Sequence, residues 1–353
     1  MKRDPLDTCQ YKVFMILDYS ETESVFIVKW HHCMADGIMG LIAPAMMERR
    51  KETFYDDSKF IKTGVNSMVM KVLQYVGLPW TIYLAQKSVF DFKVKNNEVY
   101  QRSKGPKLTG EKRAGCSAGI DIAEVLDKSK KCKGQPNSFT INDYIMSILI
   151  MTFREFIKTE KKIHVSVPFT LRPIPLAADM KTDKDFPIYN DFACVPLILD
   201  LVRDFAEDDK AGLFKEVMRR MKAQTRSKKF QGTALGWDWL MKSYFMAMIK
   251  PLLAWQPWKV MTGFTAIFST VPGPITPYII NRTYNDKSII VRRLYYFVPG
   301  AARMALSISA LTHAGELKVG ILCDTSYFGG DATAHKKFLE IYEQKFLEHQ
   351  QHI

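Results

Sequence analysis

Ser24-Val-Phe-Ile-Val-Lys-Trp30 runs without a break into His31-His32-Cys33-Met34-Ala35-Asp36-Gly37. The first seven residues are mainly β-branched and aromatic, and they read as a largely buried strand. An earlier apolar run, Lys12 to Leu17, is separated from it by Asp18-Tyr19-Ser20-Glu21, so two consecutive strands joined by a turn are predicted. A strand that ends in a histidine pair presents imidazole at a sheet edge, where function usually sits.

Histidine is scarce in this chain, seven residues in all, so HHxxxDG is not a pattern that composition produces. Asp36 lies four residues after His32, and Gly37 permits a tight turn that lets the carboxylate fold back onto the loop. A neutral imidazole so placed suits a general base acting on a hydroxyl. Two other readings stay open. One is a metal site, which is disfavoured because adjacent strand residues point to opposite faces. The other is a buried, hydrogen-bonded histidine pair with a structural role. A serine hydrolase fares worst, because no G-x-S-x-G elbow occurs in the sequence.

The rest of the chain sets the frame. Its 353 residues suffice for two ordinary domains or one large α/β unit. With 47% hydrophobic and 25% charged residues the composition is globular, which excludes extensive disorder and collagen-like repeats. Cys9, Cys33, Cys116, Cys132, Cys194 and Cys323 are scattered, with no Cys-x-x-Cys, which suits free thiols in a reducing compartment. Fifty Lys and Arg against 37 Asp and Glu give a net charge of +13, which implies an anionic partner. No helix-turn-helix, zinc-finger or RNA-binding signature accompanies it, so nucleic acid is not the expected partner. Met1 to Gln10 contains no apolar run, so no signal peptide is expected.

Between Val65 and Phe92 the chain is apolar, with no charge from Val72 to Ala85. Pro79 interrupts the run, and it is shorter than the roughly 20 residues a membrane span needs. It reads as interfacial, as the lining of a greasy cleft, or as a buried helix pair. Gln101 to Gly115 is rich in Lys and Gly and reads as a linker. A strand is predicted over Cys116 to Ile122, and then Thr140-Ile-Asn-Asp143 has the spacing of a capping box before an apolar helix. Further strands are predicted at Ile163 to Phe169, Phe192 to Leu199, Ile289 to Phe297, Met304 to Leu311 and Leu317 to Cys323. An amphipathic helix is predicted over Phe205 to Arg226, and a final helix after Asp331. His313 reads as an exposed turn residue. Strands and helices alternate, so the class is α/β, or mixed α+β.

HHxxxDG in this setting resembles the CoA-dependent acyltransferase superfamily. Further stretches narrow the likeness. Thr140-Ile-Asn-Asp143 looks like that family's Thr-x-Asn-Asp helix. Val167-Pro-Phe-Thr-Leu-Arg172 resembles its Pro-Val-Ser-x-Arg strand, and Asn190 with Pro196-Leu-Ile-Leu199 resembles its Gly-Asn…Leu-Pro strand. Phe268-Ser-Thr-Val-Pro-Gly-Pro274 is similar to its Ser-Asn-Val-Pro-Gly-Pro segment, with Thr270 in place of Asn. Leu306 to Asp324 looks like its closing hairpin. In this order the stretches resemble the wax ester synthase/diacylglycerol acyltransferase family.

The resemblance implies a two-subdomain, chloramphenicol acetyltransferase-like fold, with residues 1–105 as an N-terminal subdomain carrying HHxxxDG and 106–353 as a C-terminal one. The family has a substantial segment before HHxxxDG, whereas here the motif begins at residue 31, so an abridged N-terminal subdomain is expected. The implied reaction moves a fatty acyl group from acyl-CoA to a long-chain alcohol or diacylglycerol. His32 would be the general base, with His31 and Asp36 completing the catalytic loop. Gly37, Asn142 and Asp143 would serve substrate binding, with capping the preferred reading for Asp143. Arg172 would support Asp36. No cofactor and no metal are implied, since acyl-CoA is the co-substrate. The implied partners are acyl-CoA, the acceptor lipid and the cytosolic face of a membrane (endoplasmic reticulum or plasma membrane) or a lipid droplet. A weakly active or inactive homologue that binds acyl-CoA or lipid is the alternative expectation, and a condensation domain working on carrier-bound aminoacyl groups is a third.

Overall fold

The computed structural model describes residues 11–30, 77–91, 109–135, 138–157, 162–170, 192–202, 204–205, 209–242, 264–271, 273, 277–284, 287–298, 304, 306–326 and 331–353. Strands β1 (Tyr11–Ile16) and β2 (Val25–Trp30) form the antiparallel hairpin that the sequence predicts. Its turn uses Asp18 at a φ of 53°, a left-handed conformation that short polar side chains tolerate. The expectation of burial does not hold. Phe26 is 50% exposed, and Val13, Met15, Ile27 and Val28 are exposed as well. An apolar run of this kind predicts a largely buried strand, yet side chains on both faces of β2, Phe26 and Val28 on one and Ile27 on the other, are exposed.

Helix α1 (Leu78–Asp91) follows. Pro79 does not break it but stands in its first turn, where a missing N–H costs nothing. No helix among the described residues is long and apolar enough to cross a membrane.

The centre is a seven-stranded mixed sheet built from β3 (Lys112–Cys116), β4 (Ile120–Asp121), β5 (Lys162–Thr170), β6 (Phe192–Asp200), β7 (Ala266–Val271), β10 (Leu306–His313) and β11 (Glu316–Asp324). The order is β3-β11-β10-β7-β5-β6, with β4 also paired to β11. β7 runs parallel to both β5 and β10, and the other pairs are antiparallel. β8 (Tyr278–Tyr284) and β9 (Lys287–Val291) make a separate hairpin. Several boundaries differ from the sequence reading: the strand predicted over Cys116 to Ile122 is broken between Cys116 and Ile120, and the helix predicted from Phe205 begins at Lys210. Lys112 to Gly115 belongs to β3 rather than to a linker, because it pairs with β11 from Asp324 to Ile321. The strand predicted to Phe297 ends at Val291, and residues 292–298 are irregular.

Five helices pack with this sheet or its neighbours: α2 (Ala123–Lys131), α3 (Ile141–Phe156), α4 (Lys210–Thr225), α5 (Lys228–Lys242) and α6 (Ala334–Gln350). Helix α3 is buried at every position from Asp143 to Arg154, as expected of a helix that is apolar all round. It shares one hydrophobic cluster with Leu306, Ile308 and Ala310 of β10 and Val319 and Ile321 of β11. Helices α4 and α6 close the cluster through edge-on aromatic contacts, Tyr144–Phe214 at 5.5 Å, Tyr144–Phe346 at 5.0 Å and Phe153–Phe338 at 5.1 Å. The Tyr144 hydroxyl donates to the Phe346 carbonyl at 3.0 Å, so its buried polar end is satisfied.

The sheet start is held by a buried carboxylate. Asp324, at the end of β11, accepts from the backbone N–H groups of Thr109, Gly110 and Ser326, from both hydroxyls of Thr109 and Ser326, and from Lys112 at 3.1 Å. Burial alone pushes this carboxyl up, but the bonds from Ser326, Thr109 and Lys112 hold it well below the usual carboxylate range.

Candidate active site

His31, His32, Asp36, Gly37 and Arg172 lie outside the described residues. What the structure gives of that loop is its entry: β2 ends at Trp30, the residue before the pair. Asn142 and Asp143 are described, and they separate cleanly in role. Asp143 closes the capping box, its N–H donating to Thr140 Oγ1 at 3.1 Å and its carboxylate accepting the Thr140 N–H at 2.9 Å. Arg226 approaches the same carboxylate at 3.4 Å. The structure thus shows Asp143 in the capping role at the start of α3.

Asn142 faces the other way. It is exposed at the first turn of α3, and its Oδ1 accepts a hydrogen bond of 2.8 Å from Thr270 Oγ1. Thr270 stands near the end of β7, in the Ser-Thr-Val-Pro-Gly-Pro stretch. The helix that carries Asn142 and the strand that carries Thr270 are 128 residues apart in sequence, and this bond joins them. Because the carbonyl oxygen is engaged, the amide Nδ2 is turned outward as a donor.

Two residues beyond the end of β7, Gly273 lies against Thr312 at the end of β10. Gly273 donates its N–H to Thr312 Oγ1 at 3.0 Å. A Cβ on Gly273 would lie 1.8 Å from the Thr312 carbonyl oxygen, so only glycine allows this approach.

The sheet face away from α3 is unusually polar for a covered surface. In register across neighbouring strands it carries Ser309 and Ser269, with Ser307 and Ser166 beside them, all buried. Residues 292–298 lie against this face. Tyr296 donates its hydroxyl to the Ser269 carbonyl at 2.6 Å and lies 3.0 Å from Ser269 Oγ, while Ser309 Oγ donates to the Tyr296 carbonyl. Leu294 and Tyr296 also pack on Val271 and Leu311. Burial pushes the Tyr296 phenol far above its usual range, opposed in part by the bond to Ser269, so this hydroxyl is a donor and not a base. Burial raises the Cys194 thiol to about 11, which leaves it a poor nucleophile.

The alternation Leu306-Ser-Ile-Ser-Ala310 is the sequence signal that could have found this face, since it puts hydroxyls on one side and aliphatics on the other. His313 departs from expectation. It is fully buried at the end of β10, paired in register with Glu316, and burial lowers its pKa, with Lys318 acting in the same direction. The turn that follows is made by Ala314 and Gly315, both at positive φ. Among the described residues no group of three His, Cys, Asp or Glu side chains is placed to hold a metal ion.

The mixed sheet flanked by helices is a chloramphenicol acetyltransferase-like, condensation-domain-like fold. Residues 208–338 match the family model described as the WS/DGAT C-terminal domain. The chain is similar to polyketide synthase associated protein 5 from Mycobacterium tuberculosis, at 11% identity and a TM-score of 0.52, covering 99% of this chain and 79% of that one. It is also similar to the wax ester synthase/diacylglycerol acyltransferase from Marinobacter aquaeolei VT8, at 14% identity and a TM-score of 0.48, covering 97% and 72%. No curated protein matches the chain in sequence.

Proposed function

We propose that the protein is an O-acyltransferase that moves a fatty acyl group from acyl-CoA to a long-chain alcohol or diacylglycerol at a membrane or lipid-droplet surface. The observation that carries this reading is the WS/DGAT C-terminal domain match over 208–338, a stretch that includes Thr270. An alcohol is a poor nucleophile at neutral pH, and a positioned imidazole is the usual remedy. In the proposed step His32 takes the acceptor hydroxyl proton as that oxygen bonds to the thioester carbonyl carbon. The C–S bond then breaks, the CoA sulfur leaves with the bonding pair, and it recovers the proton from the imidazolium. Negative charge gathers on the former carbonyl oxygen in between, where an outward amide N–H such as that of Asn142 is of use. His31, Gly37 and Asp36, with Arg172, would shape the loop that holds His32. The acceptor's insolubility and the net charge of +13 support work at an anionic lipid surface.

The test is release of CoA from a long-chain acyl-CoA with hexadecanol or diacylglycerol, followed by product analysis. Ester formation that needs both substrates supports the reading. Binding of acyl-CoA without ester formation would leave the lipid-binding homologue in its place.

A further inference from the structure

Helix α1 presents two stripes. Thr81 and Leu84 are buried, and Leu84 is seated on Gly232 of α5, where a Cβ would come within 2.9 Å of Leu84 Cδ1. The other stripe, Trp80, Tyr83 and Lys87, follows the i, i+3, i+7 spacing of one helix face and points outward. Trp80 is 62% exposed and Tyr83 48% exposed, which is unusual for side chains that carry so much apolar area. Their rings stack at 5.2 Å with an interplanar angle of 28°. Lys87 from α1 and Lys229 from α5 join them around an open cleft of about 310 Å³ that Leu84 floors.

We propose that this α1–α5 surface docks the protein on an anionic lipid bilayer, with Trp80 and Tyr83 seated at headgroup depth and Lys87 and Lys229 meeting lipid phosphates or carboxylates. It deepens the membrane part of the proposed function and does not depend on the acyl-transfer chemistry. Indole and phenol rings with one wet edge are the side chains that favour the interface, and exposed lysines beside them supply the matching charge. A phosphorylated nucleotide fits less well. A base held between the two rings needs a gap of about 7 Å, twice the van der Waals contact distance, and the rings already touch. The chain's charge of +13 adds long-range attraction to an acidic surface.

The experiment is flotation of the full chain with phosphatidylserine-containing and with pure phosphatidylcholine vesicles. Wild type is expected to float with the first and far less with the second, and added salt should release it. Lys87→Gln with Lys229→Gln should lower partitioning on the order of tenfold. Trp80→Ser with Tyr83→Ser should lower it comparably, and both double variants should keep the wild-type melting temperature because the replaced side chains are exposed. His32→Ala should float like wild type, so loss of chemistry and loss of docking are read separately. Equal flotation of wild type and the double variants overturns the proposal, as does binding indifferent to lipid charge. Displacement of the protein from vesicles by micromolar adenosine 3′,5′-bisphosphate would assign the cleft to a nucleotide instead.

Discussion

Thr270 Oγ1 donates to Asn142 Oδ1 at 2.8 Å, tying the end of β7 to the first turn of α3. The bond fixes which end of the Asn142 amide faces outward, so Thr270 is a positioning residue in the proposed reaction. Thr270→Val, which keeps the shape and loses the hydroxyl, should reduce kcat about three- to tenfold, the worth of one neutral hydrogen bond. Thr270→Ser should restore most of it. Steady-state CoA release checks this, with melting curves to show that the fold is unchanged.

Gly273 lies against Thr312, and its missing Cβ is what allows the contact. Gly273→Ala should cost about 2–3 kcal/mol, as over-packing against backbone does, and denaturant titration reads it. The same variant should lower activity beyond its stability cost, because Gly273 lies three residues after Thr270.

Asp324 gathers Thr109, Gly110, Lys112 and Ser326 at the end of β11. Asp324→Asn removes the charge while leaving the Lys112 ammonium beside it and should cost about 3 kcal/mol. Its carboxyl titrates lower in the folded state than in the unfolded chain. The stability it contributes is therefore present above the ordinary carboxylate range and is lost as pH falls through the lowered folded value. Urea midpoints from pH 7 down to pH 3 for wild type and variant measure the difference.

His349 provides a separate pH effect. It is buried near the end of α6, stacked on Phe214 at 4.5 Å, and burial lowers its pKa to about 4, with Glu348 opposing and Lys345, His352 and Lys210 adding to the shift. The unfolded chain takes up this proton first as pH falls below the ordinary value near 6.5, so stability should decline between about pH 6.5 and pH 4. His349→Leu should remove about one proton from that dependence while leaving stability at pH 7 close to wild type. Equal pH slopes for the two proteins would contradict the assignment.

Much of the C-terminal half was legible because its signals are local. The capping box at Thr140 and Asp143, the aliphatic alternation of β5, β6, β10 and β11, and the apolar face of α4 each dictate one element. What escaped was long-range. Nothing near Lys112 says that it will pair with Asp324, and β8 was missed outright because its alternation is weak. His313 read as a turn residue because Ala314 and Gly315 follow it, yet the strand continues through it into the core. The β1–β2 hairpin read as buried because burial was inferred from residue type, and residue type does not say what lies opposite. For the candidate site, Asn142 was singled out from the resemblance. Its bond to Thr270 was not, since the two positions meet only in the folded sheet.

The central claim is that His32 deprotonates the acceptor hydroxyl. Its most direct test compares the initial rate of CoA release by wild type and His32→Ala, with long-chain acyl-CoA and either hexadecanol or diacylglycerol. The account predicts acceptor-dependent release in wild type and a loss of at least a hundredfold in the variant, the usual worth of a general base. Equal rates in the two proteins, or release that does not depend on acceptor, would contradict it.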